Sequence, residues 1–221
     1  MAKIGVILSG CGVFDGSEIH ESVLTLLALD QMGASVKIYA PSVPQKHVID
    51  HFRHKVVKGE ERNILEESAR IARGAIQDIT EANMAHLDAI IFPGGAGIAK
   101  NLSTFSEKGP QCTLLPAVED LIADAFRQEK VLGFMCLAPL LAVKAAVNIG
   151  RVPLVTLGND PEMAKAVTMM GGKHTLCPAT EVVIDKKNKI VTTPAYMLAK
   201  SISEAEVGIG KLVQTVLSMI S

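Results

Sequence analysis

Apolar runs at residues 3–8 (KIGVIL), 35–40 (SVKIYA), 88–93 (DAIIFP), 131–135 (VLGFM) and 153–157 (PLVTL) most constrain what this chain can fold into. Most carry no alternating polar residue, so strands made from them are covered on both faces. Amphipathic helical stretches fill the gaps at 18–32, 61–74, 116–128, 138–148 and 161–171, and a long final one runs from about Ala195 to Ile220. Gly33 and Gly74 close the first two, and Asp15 and Ser17 are candidate caps for the first, with Glu18 in its opening turn. EVVIDKKNKIVTT, at 181–193, reads as two short strands around a Lys-Asn turn. The expected architecture is one α/β domain over 1–221: a three-layer, doubly wound, mostly parallel sheet with helices on both faces and a short β-hairpin. The segment at about 41–86 exceeds a simple crossover and is expected to be an insertion on the ligand-binding rim.

Composition narrows the partners. Net charge is −1, Trp is absent and aromatics are 4%, which argues against nucleic acid and anionic membrane surfaces. No apolar run reaches the roughly 18–20 residues of a membrane helix, and MAKIGVILSG reads as a first strand, not a signal peptide. A trimmed organellar leader would leave no trace. The cysteines at 11, 112, 136 and 177 form no CxxC pair, so reduced thiols in a reducing compartment are expected.

The loop SGCGVFDGSEIHE, at 9–21, spaces its glycines as GxGxxxG, one residue too long for a dinucleotide fingerprint. The second strand ends in YAPSVP without the acid that would hold a ribose, so the glycines read as turn formers and no cofactor is expected. Glu21 is either a solvated acid near a helix start or a carboxylate aimed along the rim. In VLGFMCLAPLLAVKAA a strand enters Cys136 and a helix begins at once with Pro139, the layout of a nucleophile elbow. A helix N-terminus would lower the thiol pKa; a buried, inert cysteine is the alternative. Gly94 and Gly95, after the neighbouring strand, and Leu137 could offer backbone N–H groups to an oxyanion. His47, His51 and His54 have helix-like spacing, yet nothing completes a metal set, and no metal is expected.

Together with NKIVTTPAYM and PGGAGIAKNLSTF, these strings resemble the PfpI and protein-deglycase superfamily, and within it the ElbB-like glyoxalases linked by name to isoprenoid biosynthesis. The likeness spans nearly the whole chain. It implies the flavodoxin-like fold of class I glutamine amidotransferases, a homodimer, and a first-helix glutamate bonded to a reactive cysteine. Counting twelve residues back from Gly33 gives Glu21 as that glutamate, with Glu18 in reserve. The implied activity is cofactor-free conversion of glyoxal or a small 2-oxoaldehyde to a 2-hydroxy acid, by Cys136 and Glu21. Cys11, Asn101 and His174 are further candidate pocket residues. The implied location is the cytoplasm, or the mitochondrial matrix for a trimmed animal relative. The amidotransferase triad needs a His and a Glu two residues apart after the nucleophile; His174 has no such acid, which argues against an amidase or glutaminase. A redox-sensing or regulatory role is the rival reading.

Overall fold

The structure, a computed structural model, describes residues 1–220. In chain order its strands and helices are β1 (Lys3–Ile7), α1 (Ile19–Gln31), β2 (Ser35–Ala40), β3 (Ile49–Asp50), β4 (Lys55–Val56), α2 (Ile64–Ile71), β5 (Gln77–Asp78), β6 (Ala89–Phe92), α3 (Gly97–Lys100), α4 (Phe105–Lys108), α5 (Pro116–Arg127), β7 (Val131–Met135), α6 (Pro139–Asn148), β8 (Leu154–Val155), α7 (Pro161–Met169), β9 (Lys173–His174), β10 (Val183–Asp185), β11 (Ile190–Thr193) and α8 (Ile202–Ile220). Among the described residues, seven strands form one sheet in the order β10-β11-β7-β6-β1-β2-β5. Every pairing in it is parallel except β10 with β11, which make the expected hairpin. This is the doubly wound α/β arrangement anticipated from the alternating runs, and the flavodoxin-like fold that the resemblance implies.

The central strands are apolar on both sides because each side meets helices. Ile90, Phe92, Leu132 and Phe134 pack with α5 and α6, while Ile4, Val6, Ile91, Val131 and Met135 pack with α1 and α8. Phe92 and Phe134 stack with ring centroids 4.9 Å apart. The carboxyl ends of β1, β6, β7 and β11 therefore emerge side by side, with α1 and α6 starting above them.

Several expectations need correction. PLVTL does not join the main sheet: only Leu154–Val155 is extended, and it pairs with β9 in a separate two-stranded sheet. The final helix starts at Ile202, because Ala195–Met197 form a 3₁₀ turn after Pro194. Glu18 caps α1, its side chain accepting from Glu21 N–H. Ser17 Oγ instead accepts from Ser9 N–H at 2.8 Å, and Asp15 accepts from Ile49 N–H at 2.7 Å. The 41–86 segment holds the β3–β4 hairpin, α2, the edge strand β5 and two 3₁₀ turns.

Two glycines of α8 give a paired test. A methyl on Gly208 would collide with the Ala179 carbonyl and stand 2.8 Å from Thr193 Oγ1, whereas on Gly210 its nearest neighbour is Glu206 Oε1 at 3.7 Å. Gly208→Ala is expected to destabilise by about 1–3 kcal/mol through overpacking. Gly210→Ala is expected to stabilise by roughly 0.5–1 kcal/mol through helix propensity. Denaturant melts of both variants check the opposite signs.

Candidate active site

Cys136 sits in the turn between β7 and α6 with φ 56°, in the left-handed region that non-glycine residues avoid. Such a conformation costs on the order of 1–3 kcal/mol and persists only where neighbours impose it. Here Cys136 N–H donates to Thr193 O at 3.1 Å, from the end of the adjacent β11, and Ala138 N–H donates to Met135 O at 2.9 Å. Pro139 opens α6 without needing a partner for a missing N–H. The turn lifts the sulfur off the sheet edge.

Glu21 lies opposite, fully buried in the first turn of α1. A buried carboxylate needs donors, and two loops supply them. Gly94 N–H donates to Oε2 at 2.8 Å and Tyr196 N–H donates to Oε1 at 3.1 Å. Gly94 O in turn accepts from Glu18 N–H at 2.9 Å, so the loop after β6 is laced to the start of α1 by both its polar groups. Gly94 also stands between the two reactive groups: a methyl there would lie 2.6 Å from Glu21 Oε2 and 2.9 Å from Cys136 Sγ. Tyr196 is presented by a second strained residue, the buried Ala195 at φ 45°. Its hydroxyl lies 2.9 Å from Nδ1 of the exposed His20. Neither Tyr196 nor His20 carried a sequence signal beyond the string TTPAYM.

The electrostatics follow from this burial. Desolvation pushes the Glu21 carboxyl up to about 7, and the nearby Glu18 adds to it; the Tyr196 and Gly94 N–H groups and a side-chain hydrogen bond with Cys136 pull the other way. The Cys136 thiol is raised well above its usual range, first by burial and then by the Glu21 carboxylate, against the N–H groups of Gly95 and Leu137. The expected lowering of this thiol by the helix start is thus reversed. At neutral pH the resting sulfur is a thiol facing a carboxyl group that is about half ionised, and the two titrate as a pair. Cys136 retains 7% of its surface exposure and Glu21 none, so a small molecule meets the sulfur first.

The other candidates separate cleanly. Gly95, at φ 102°, and Leu137 aim their N–H groups at the sulfur. Gly94 does not join them as an oxyanion donor, because its N–H is committed to Glu21. Glu18 is the α1 cap beside the pair. Asn101 braces the glycine loop from beneath, its amide donating to Ser9 O and Asp15 O, each at 2.8 Å, and accepting from Lys46 N–H at 3.0 Å. Cys11 is half-buried, and the charges acting on it are Glu67, Arg70, Asp15 and Arg62, outside the Cys136–Glu21 pair. Nε2 of His174 accepts from Leu157 N–H at 3.1 Å, and burial lowers its pKa, so it serves the segment after β8 as a neutral acceptor. His51 and His54 lie in the turn of the β3–β4 hairpin and contact Phe14, so their spacing is not helical. Among the described residues, no group of three or more His, Cys, Asp or Glu is arranged to hold a metal ion, and no helix is long and apolar enough to cross a membrane.

No protein-family profile matches the chain. Curated proteins do. The human mitochondrial glutamine amidotransferase-like class 1 domain-containing protein 3 is 43% identical over 227 residues, covering 99% of this chain and 83% of that protein. The mitochondrial ES1 protein of zebrafish (Danio rerio) is 36% identical, covering 98% and 86%. Among solved structures, an isoprenoid biosynthesis protein with an amidotransferase-like domain from Ehrlichia chaffeensis superposes with TM-score 0.94 at 36% identity over the full length of both chains. Drosophila melanogaster DJ-1beta matches at TM-score 0.54 and 17% identity over 98% and 96%, a likeness of fold. Strand–Cys–helix elbow, buried first-helix glutamate and full-length relatives converge: the chain belongs to the class I glutamine amidotransferase-like family that includes the ES1 proteins, built on the DJ-1/ThiJ/PfpI fold.

Proposed function

We propose that this chain is a cofactor-independent glyoxalase-type enzyme, acting on glyoxal or a small 2-oxoaldehyde. The observation that carries this reading is the pairing of an elbow thiol with a buried carboxyl raised to about 7, beside two backbone N–H donors. In the proposed cycle, Glu21 takes the thiol proton as Sγ bonds to the aldehyde carbon, and the Gly95 and Leu137 N–H groups hold the developing oxyanion. Glu21 returns that proton to the oxygen, giving a hemithioacetal. The carboxylate then removes the proton from the sulfur-bearing carbon and delivers it to the adjacent carbon, while the hemithioacetal hydroxyl proton passes to the second carbonyl oxygen; that carbonyl becomes an alcohol and a thioester is left. Water cleaves the S–C bond, releasing the 2-hydroxy acid and restoring the thiol. The net change is addition of one water, so no external oxidant or reductant enters. A carboxyl poised near neutral pH suits both halves of this shuttle. The reading also includes a homodimer and, by the names of the animal relatives, a mitochondrial setting for chains of that lineage.

A second reading, a regulatory protein beside isoprenoid synthesis, draws support from the description of the Ehrlichia relative and from the low exposure and raised pKa of Cys136. Turnover of about 1 per second or more on glyoxal favours catalysis; its absence, with a folded protein, favours regulation. Amide hydrolysis has less support, because His174 is occupied by Leu157.

Cys136→Ala is expected to remove glyoxal turnover, and Glu21→Gln to reduce kcat by roughly 10²-fold or more, the scale of general acid–base catalysis. Wild-type rates in either variant contradict the cycle. Because the carboxylate is the working form, kcat/KM is expected to rise with pH through about 7 and then level.

Stability gives a check that needs no substrate. Folded Glu21 keeps its proton up to about pH 7, whereas the unfolded chain releases it near 4.3. Folding takes up a proton between these values, so stability falls as pH rises through that window. Wild type is expected to lose on the order of 3 kcal/mol relative to Glu21→Gln from about pH 4.5 to 7, at about 1.4 kcal/mol per unit. Parallel curves from urea melts of the two proteins contradict a buried acid at this position.

A further inference from the structure

At the amino-terminal edge of the sheet, opposite Cys136, four cations line a cleft of about 260 Å³: Lys130, Arg151, Lys187 and Lys189. Lys130 precedes β7, Lys189 precedes the parallel neighbour β11, Lys187 lies in the β10–β11 turn, and Arg151 follows α6. Cys136 ends the same β7 strand, roughly 20 Å away by the rise of an extended chain. The cleft therefore belongs to no part of the thiol site.

Three features distinguish it from scattered solvated lysines. First, its walls are fixed. Asp185 and Asn188 are buried and tie the lysine-bearing turn to the segment after Arg151: Asn188 Nδ2 donates to Asp185 Oδ2 at 2.7 Å and to Val152 O at 3.2 Å, and Leu154 N–H donates to Asp185 Oδ2 at 2.8 Å. Leu132 N–H donates to Lys189 O at 2.9 Å, which joins that turn to β7. Second, Arg151 is pre-oriented. Its guanidinium carbon lies 5.2 Å from the Phe126 ring centroid and Nη2 donates to Phe126 O at 3.3 Å. That anchoring leaves the rest of a rigid donor fork for a ligand. Third, the charge is unbalanced. Glu129 is the one carboxylate in the lining, 3.9 Å from Lys189, and among the described residues Lys130, Arg151 and Lys187 have no carboxylate within 4.0 Å. Among the described residues, a chain of net charge −1 thus gathers three positive charges without a carboxylate partner in one concave place. Asp88, which lines the adjoining groove, is occupied by Lys3 N–H at 2.8 Å.

Clustered like charges focus a positive potential that a compact anion relieves. A single phosphate carries about −2 at most, less than the lining offers. We propose that this cleft binds a diphosphate group, its phosphoryl oxygens on the four cations. The site is independent of the proposed glyoxalase chemistry and stands or falls separately.

Calorimetric titration of the full chain with inorganic pyrophosphate, orthophosphate and succinate at low and at physiological salt tests this. Pyrophosphate is expected to bind one site, at least about 10-fold tighter than the other two, and to weaken as salt rises. Lys187→Gln, an exposed turn position that does not endanger folding, is expected to weaken pyrophosphate several-fold, and Lys130→Gln with Arg151→Gln to abolish it. Alkylation of Cys136 at the wild-type rate in the same variants shows the fold intact. No pyrophosphate heat, equal affinity for succinate, or unchanged affinity in Lys187→Gln overturns the assignment.

Discussion

The structure turns on a carboxyl group shut away from the surface. Glu21 is sealed beneath α1, and a buried acid is costly unless backbone N–H groups reach it. Those groups come from two distant segments, Gly94 after β6 and Tyr196 after β11, so the first helix, the central strand and the carboxyl-terminal half of the chain meet on one side chain. Gly94 must lack a side chain because sulfur and carboxylate close on it from both sides. Ala195 takes a left-handed backbone just where the chain presents Tyr196 N–H to the carboxyl. Strain at Ala195 and Cys136 is therefore coupled to one hydrogen-bonded acid.

This arrangement sets the chemistry available. A thiol stabilised as thiolate by a helix start would react with any electrophile it met. Here burial and a neighbouring anion keep the proton on sulfur, and the acceptor for it is already in contact. Reactivity then depends on a ligand that removes the proton to Glu21 while forming a bond to Sγ. In the proposed cycle, the two N–H groups of Gly95 and Leu137, which solvate the sulfur at rest, hold the oxyanion that develops beside it.

Much of this was legible in the residues, for identifiable reasons. Uninterrupted apolar runs dictated a sheet covered on both faces, and VLGFMCLAP carried the elbow because strand, small residue and Pro139 occur in register. Glu21 was found by counting along a helix from a resemblance; periodicity alone left it open. The misreadings share one cause, that local signals do not say which tertiary partner wins. Asp15 and Ser17 look like helix caps, yet long-range partners at Ile49 and Ser9 claim them. PLVTL has strand composition but is diverted into a two-residue pairing with β9. Gly94 and Gly95 look equivalent in the sequence, and only the fold directs one N–H to carboxylate and the other to sulfur. Tyr196 contributes through its backbone, which no side-chain pattern can announce.

The central claim is that the Glu21 carboxyl, in contact with the Cys136 thiol, titrates near neutrality. Carbon-13 NMR of the chain labelled at glutamate side-chain carboxyls reads it directly, by following each resonance from about pH 4 to 9. One resonance is expected to titrate near pH 7, to vanish in Glu21→Gln and to shift its midpoint in Cys136→Ala. If every glutamate instead titrates around the ordinary value of about 4.3, the acid is solvated and the account of this site is wrong.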